Sequence, residues 1–262
     1  MSLPTKIRNV TLIGAGNVNW HIGRVLSLKG YEIRELWSRS ESAARELASR
    51  IGCRYSLSIS DLRKETDLYI VAVRDSGIQM ILSELNAGNR LIVHTAGSVP
   101  MNVLNGYSDH YGVLYPLQTL SKHIPVNLSE VPFCIESSDE EALRLLRILA
   151  EDLSGFVREV NSDQRLLLHI AAVFASNYTN LMYTLASDLL EAEGLSFDFL
   201  KPLVAETARK AITSGPSRVQ TGPAKRGDQA VLDKHLGILA SQPEFAEIYK
   251  LLADRIRKRF KA

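Results

Sequence analysis

Cysteine is nearly missing from this chain. Cys53 and Cys134 are the only two in 262 residues. They stand far apart and outside any Cys-x-x-Cys or Cys/His cluster, which removes both a disulfide framework and a cysteine-ligated metal site, so two reduced structural thiols and no metal are expected. A large charge excess is missing too. Lys and Arg number 31 against 29 for Asp and Glu, so nucleic acid is not an expected partner. The terminal basic run, Arg255 to Lys261, reads as a solvated helix end whose cations complement the dipole. No charged-apolar-small leader pattern precedes the first apolar run. No uninterrupted stretch suits a membrane either: the most apolar one, Leu166 to Leu190, carries His169, Asn177, Asn180 and Asp188, which lipid would penalise. That stretch is expected as a buried core helix, and the chain as cytoplasmic.

What is present is an ordinary globular composition, 45% apolar and 23% charged, long enough for two modest domains. The first half alternates short β-branched runs with helical patterns, the signature of a βαβ series. Strands are expected at Val10–Ile13, Glu32–Trp37, Leu68–Val73, Leu91–His94, Tyr111–Leu114, Phe133–Glu136 and Phe156–Val160. Helices are expected at Asn17–Leu28, Glu41–Arg50, Ser76–Leu85 and Asp139–Leu153. After Asn161 the strand signals stop. Long helical patterns follow over Ser162–Glu193, Ser196–Ser214 and Gln229–Arg259, the last broken near Pro243. The expected class is α/β: a Rossmann-type doubly wound, mostly parallel sheet over 1–160, then an all-helical domain over 161–262.

The first strand runs straight into Gly14-x-Gly16 and a helix, the context in which this short motif carries meaning. Gly14 permits the tight turn and Gly16 a close approach to a pyrophosphate. The helix starting at Asn17 and Val18 offers free N–H groups and a positive dipole end. Asn19 occupies the third glycine position, which is expected to loosen helix–strand packing, with Gly23 taking over one close contact. An NAD-specific site would place a carboxylate after the second strand. Here Ser38-Arg39-Ser40 stands instead, and a guanidinium between two hydroxyls suits a 2′-phosphate, so NADP is expected. The loops Val73-Arg74-Asp75 and His94-Thr95-Ala96-Gly97-Ser98 fall at the carboxyl edge and are expected to line the nicotinamide and its ribose. His94 reads equally as a hydrogen-bonded structural histidine.

With these strings and Tyr115-Pro116-Leu117-Gln118-Thr119, the chain resembles bacterial Rossmann proteins grouped as deazaflavin (coenzyme F-420)-dependent NADP oxidoreductases. The resemblance extends through Ala172-Val173-Phe174-Ala175-Ser176-Asn177 and Gly222-Pro223-Ala224-Lys225-Arg226-Gly227-Asp228. More distantly the chain is similar to pyrroline-5-carboxylate reductase, ketopantoate reductase and the β-hydroxyacid dehydrogenases, whose helical half is of the 6-phosphogluconate dehydrogenase type. The resemblance implies a homodimer joined through the helical halves. The β-hydroxyacid dehydrogenases carry a catalytic lysine where this chain has Val173 and Phe174, which argues against that chemistry.

Projected at 3.6 residues per turn, Leu166–Leu190 places His169, Ser176, Asn180 and Ser187 in one stripe, flanked by Asn177 and Tyr183. Hydride transfer to a carbonyl or imine needs a proton donor, and histidine is the side chain that supplies one near neutrality. His169 is the candidate acid, with Asn177 and Asn180 orienting a small-molecule substrate. A polar seam between helices or across a dimer is the alternative. Arg226 is a candidate for gripping a substrate carboxylate or the cofactor phosphate, while Asp228 reads also as a cap and Lys225 as a solvated cation. Three functions fit: an NADP-dependent oxidoreductase of a small carbonyl or imine, a non-catalytic NADP(H)-binding sensor or assembly protein, and hydride exchange between NADP and a deazaflavin or flavin, which needs no proton donor.

Overall fold

A computed structural model describes residues 3–63, 65–85 and 87–260; Lys261, the end of the basic run, lies outside them. The chain divides into two compact units, 1–177 and 178–262.

In the first unit one sheet runs in the order β3-β2-β1-β4-β5-β6-β7-β8. Its strands are β1 (Asn9–Ile13), β2 (Glu32–Trp37), β3 (Arg54–Ser56), β4 (Leu68–Val71), β5 (Leu91–His94), β6 (Tyr111–Pro116), β7 (Phe133–Ser137) and β8 (Val157–Glu159). From β3 to β6 all pairings are parallel, whereas β7 joins β6 antiparallel and β8 follows β7 in parallel. The strand order reverses between β1 and β4, the place where open sheets of this kind bind ligands. β4 and β5 are buried along their whole length, because helices cover both faces, as a central parallel strand requires.

The helices are α1 (Asn17–Leu28), α2 (Glu41–Ile51), α3 (Ile78–Glu84), α4 (Glu140–Leu153) and α5 (Ser162–Ala172). Local chemistry sets their ends. Ser40 caps α2, and Gly52 closes it in the left-handed region at φ 82°. Asp139 caps α4, which buries Ala142, Leu145, Leu146, Leu149, Ala150 and Leu153 as one apolar stripe. Asn161 and Gln164 form a capping box on α5.

Several elements differ from expectation. β4 stops at Val71, two residues early, and the helix expected from Ser76 opens as a 3₁₀ turn, Asp75–Gly77. β3 was not foreseen, since three residues are too few to show a period. The apolar Leu166–Leu190 stretch is not a buried helix: Leu167 and Phe174 are 67% and 66% exposed, and a π-helical turn, Val173–Tyr178, interrupts it.

The second unit contains α6 (Thr179–Glu191), α7 (Lys201–Ser214), the short α8 (Pro216–Val219) and α9 (Pro223–Arg226), α10 (Gln229–Ile238) and α11 (Pro243–Phe260). α7 starts later than expected because Pro202 is suited only to a helix's first turn. Its buried apolar cluster is small: Ala224, Leu232 and Ala253, with Tyr249 and Ile256 packed against them. Among the described residues no helix is long and apolar enough to cross a membrane.

Candidate functional site

Register sets the carboxyl ends of the central strands side by side. Ile13 lies opposite both Trp37 and Val71, and Val71 opposite His94. Backbone bonds carry the alignment into the loops: the Gly14 N–H donates to the Trp37 carbonyl at 2.7 Å, Ala72 to Ile13 at 2.8 Å and Thr95 to Val71 at 3.2 Å. The loops after β1, β2, β4 and β5 thereby open on one cleft of about 590 Å³. The residues expected to hold a dinucleotide line it, save His94 and Ser98: Gly14, Gly16, Asn17 and Val18 from the first loop, Ser38, Arg39 and Ser40 from the second, Val73, Arg74 and Asp75 from the third, Thr95, Ala96 and Gly97 from the fourth.

The first loop has the build of a phosphate cradle. Gly14 sits at φ 104°, and a Cβ there would stand 2.4 Å from the Ala72 carbonyl oxygen, so only glycine fits. Gly16 precedes α1 without a side-chain cap, which leaves the first-turn N–H groups available to an anion. Asn19 does the opposite of loosening this region. It is fully buried, and its amide donates to the Gly14 carbonyl at 2.7 Å and the Ile13 carbonyl at 3.2 Å, which fixes the turn. Gly23 makes the close helix–strand contact, since a Cβ there would meet Leu12 and Ile51 at 2.7 Å.

At the second loop no carboxylate faces the cleft. Ser38 is buried and accepts the Ser40 N–H, and Ser40 caps α2 by accepting the Ala43 N–H. The guanidinium groups of Arg39 and Arg74 are exposed, with no ion pair among the described residues. The one acidic group lining the cleft, Asp75, accepts a hydrogen bond from Ser98 and so ties the third loop to the fourth.

His169 lines this cleft and also a second cavity of about 400 Å³, bounded by Tyr115, Leu117, Leu168, Val173, Ser176 and Asn177 among others. Its Nδ1 lies 3.1 Å from the Tyr115 hydroxyl, with the two rings edge to face. Gly97 makes room for the pair: a Cβ on it would stand 2.7 Å from His169 Nδ1 and 2.9 Å from Tyr115 Cζ. Burial, with some help from Cys134, pushes the Tyr115 phenol up to about 12, so it stays protonated. One turn before His169, the fully buried Arg165 pairs with Glu136 of β7 and donates to the Val99 carbonyl at 2.6 Å. Glu136 also receives the Ser162 N–H at 3.0 Å. The start of α5, β7 and the loop carrying Gly97 are thus fastened at one point. His94, fully buried, accepts the Ala96 N–H at 3.2 Å, and burial, reinforced by the Arg165 charge, lowers it to about 4. It lines neither of these cavities, and its Nε2 has no hydrogen-bond partner among the described residues.

The other expected residues fall differently. The π-helical turn breaks the uniform spacing on which the polar stripe was projected; within it Ser176 and Asn177 interact, the Ser176 hydroxyl lying 3.0 Å from Asn177 Oδ1 and 2.9 Å from the Ala172 carbonyl. Asn180 belongs to α6 and Arg226 to α9, both in the second unit. There Arg226 is exposed, Asp228 caps α10 by accepting the Val231 N–H, and Lys225 donates to the Gln220 carbonyl at 2.8 Å. Tyr115, Arg165, Glu136 and Asn19 were missed as site residues. Tyr115 had a signal, an aromatic at the carboxyl end of a strand; Arg165 had none, because its partner lies 29 residues away.

Residues 9–97 match the family described as NADP oxidoreductase coenzyme F420-dependent, and residues 131–256 match a domain of unknown function. No curated protein matches the chain. Among solved structures, a Bacteroides fragilis protein named as an inferred NADP oxidoreductase is 42% identical, with a TM-score of 0.90 over 97% of this chain and 100% of that one. An imine reductase of Myxococcus stipitatus in complex with NADP+ is 18% identical, with a TM-score of 0.63 over 95% of this chain and 92% of its own. A pyrroline-5-carboxylate reductase of Coxiella burnetii is 20% identical, with a TM-score of 0.57 over 98% and 100%; these two likenesses concern the fold. A cradle that only glycine can form, an Arg39 corner without a carboxylate and a near-full-length match at 42% identity agree, and the chain belongs to the family of bacterial Rossmann-type NADP oxidoreductases with a helical C-terminal part.

Proposed function

We propose that this protein is an NADP(H)-dependent oxidoreductase that reduces a small carbonyl or imine compound beside His169. The observation that carries the reading is His169 itself, which lines both the dinucleotide cleft and the adjoining cavity. The first-turn N–H groups of α1 would hold the pyrophosphate, and Arg39 the 2′-phosphate, aided by Ser38 and Ser40. Arg74 would neutralise a second phosphate, and Asp75, Thr95 and Gly97 would flank the nicotinamide half. NADPH supplies a hydride when bound.

The chain's own part is the proton. As the acid, His169 would rest Nδ1 on the Tyr115 hydroxyl and give a proton from Nε2 to the developing alkoxide or amine. The raised phenol keeps Tyr115 from ionising, so it stays a neutral acceptor and orients the ring. Such a pair is superfluous for hydride exchange with a deazaflavin or for a sensor that only binds, which favours the carbonyl or imine reading. The cavity lining has no Asp, Glu, Lys or Arg, which suits an uncharged reacting portion of the substrate. Asn177, which lines the cavity, would orient that portion.

The apolar side chains exposed on a single chain, Leu167 on α5 and Phe199, Leu203, Ile212 and Ile238 in the helical unit, support a homodimer through the helical half. Two unbridged cysteines fit a cytoplasmic setting. The test is NADPH oxidation by the purified protein across a panel of small ketones, aldehydes and cyclic imines, with His169→Ala alongside. Turnover lost in that variant while NADPH still binds supports the reading. Equal turnover in both contradicts it.

A further inference from the structure

A separate cleft of about 450 Å³, which shares no lining residue with the two cavities described above, is formed by α1, the end of α2 and the segment leading to β7. Arg24, Arg50 and Lys122 line it together with His21, His123 and Trp20, and no aspartate or glutamate does. In a chain whose cations and anions nearly balance, that is a local excess with a definite address. It is also ordered. The Arg50 guanidinium lies over the Trp20 ring at 4.6 Å from its centre, and the Lys122 ammonium stands 5.2 Å from the same ring. His21 is buried, and its Nε2–H donates to the Ser121 carbonyl at 2.9 Å, which anchors the segment carrying Lys122 and His123. Lys122 has a counter-charge in Glu46 at 3.5 Å. Arg24 and Arg50 have no ion pair among the described residues.

A cleft with charge of one sign and apolar walls concentrates the field inside it and raises the local concentration of counter-ions. Guanidinium groups favour planar or tetrahedral oxyanions, which they bind by paired hydrogen bonds. Val25, Leu28 and Pro125 on the same walls offer an apolar rest for the body of a ligand. We propose that this cleft is a second binding site, distinct from the dinucleotide cleft, for a small molecule bearing a phosphate or diphosphate group, with Arg24 and Arg50 as its anion-binding residues and Trp20 as its floor.

The chain holds two tryptophans, and they report the two clefts separately, because Trp37 lines the dinucleotide cleft and Trp20 this one. The test is a titration of inorganic pyrophosphate into protein labelled with heavy nitrogen at tryptophan, following both indole N–H signals, the Trp20 signal being identified with Trp20→Phe. The expected result is a saturable shift of the Trp20 signal at constant ionic strength, weakened about tenfold or more in Arg24→Gln and in Arg50→Gln. Both positions are exposed, and an unchanged Trp37 signal in each variant checks that the fold holds. A Trp20 signal that stays still, that drifts without saturating, or that saturates equally in both variants overturns the proposal. Citrate binding as tightly as pyrophosphate overturns the assignment to phosphate.

Discussion

The Tyr115 hydroxyl stands 3.1 Å from His169 Nδ1, with the bare Gly97 backbone against both rings. Three segments meet there: the end of β6, the middle of α5 and the loop after β5. The chemistry proposed for the site depends on that meeting.

Replacing Tyr115 by Phe removes the acceptor that orients His169 and leaves the dinucleotide cleft intact. NADPH affinity is expected to stay within about twofold, while turnover falls roughly 10²-fold or more, the range for a general acid that has lost its positioning. A full kcat/KM profile for the variant and for His169→Ala checks this, and turnover equal to the parent's would remove Tyr115 from the mechanism.

Two glycine substitutions separate space from chemistry. A methyl at Gly97 meets His169 and Tyr115 at under 3 Å, so Gly97→Ala is expected to lower stability by about 1–3 kcal/mol and to abolish turnover. At Gly16 the nearest atom to a new Cβ is the Ala72 oxygen at 3.8 Å, so Gly16→Ala is expected to fold as the parent does and to lose affinity for the dinucleotide. Thermal unfolding with and without NADPH distinguishes the two patterns.

Arg165 and Glu136 form a buried ion pair that joins α5 to β7 and to the Val99 carbonyl. Removing one partner strands a charge, so Arg165→Met is expected to cost about 3–5 kcal/mol, and Arg165→Met with Glu136→Leu to recover much of it. Urea unfolding of the three proteins measures this. No loss in the single variant would mean the pair fastens nothing.

His94 ties acid stability to burial. In the fold its value is lowered to about 4 from an ordinary 6.5, by burial first and then by Arg165. Above the ordinary value the ring is neutral whether the chain is folded or not. As the pH falls below it, the unfolded chain takes up a proton that the folded chain refuses, so stability declines down to about pH 4 and then levels off. The total is roughly 3 kcal/mol. Urea midpoints at pH 7 and pH 4.5 are expected to differ more for the parent than for His94→Asn.

The sheet was legible because its signals are local. β-branched runs ending in Gly, Asp or Ser placed β1, β2 and β5 almost to the residue, and the glycine loop, Ser38-Arg39-Ser40 and the loops after β4 and β5 named most of the cleft lining. What escaped depends on distance or on irregular backbone. β7 reads like any strand, and its antiparallel direction is set by how the chain returns to the sheet. The π-helical turn Val173–Tyr178 has no periodicity of its own, so a stripe drawn at 3.6 residues per turn ran through it unbroken. Arg165, four residues before His169, drew no reading from the sequence because its partners lie on β7 and in the loop after β5, 29 and 66 residues away.

On the proposed function, the cleft beside His169 takes NADP(H) and Arg39 reads the 2′-phosphate. Calorimetric titration of NADPH and NADH into the parent and into Arg39→Ala tests it most directly. NADPH is expected to bind at least about tenfold more tightly than NADH to the parent, and Arg39→Ala to lose this preference by weakening NADPH alone. Equal affinity for the two in the parent, or no binding of either, would contradict it.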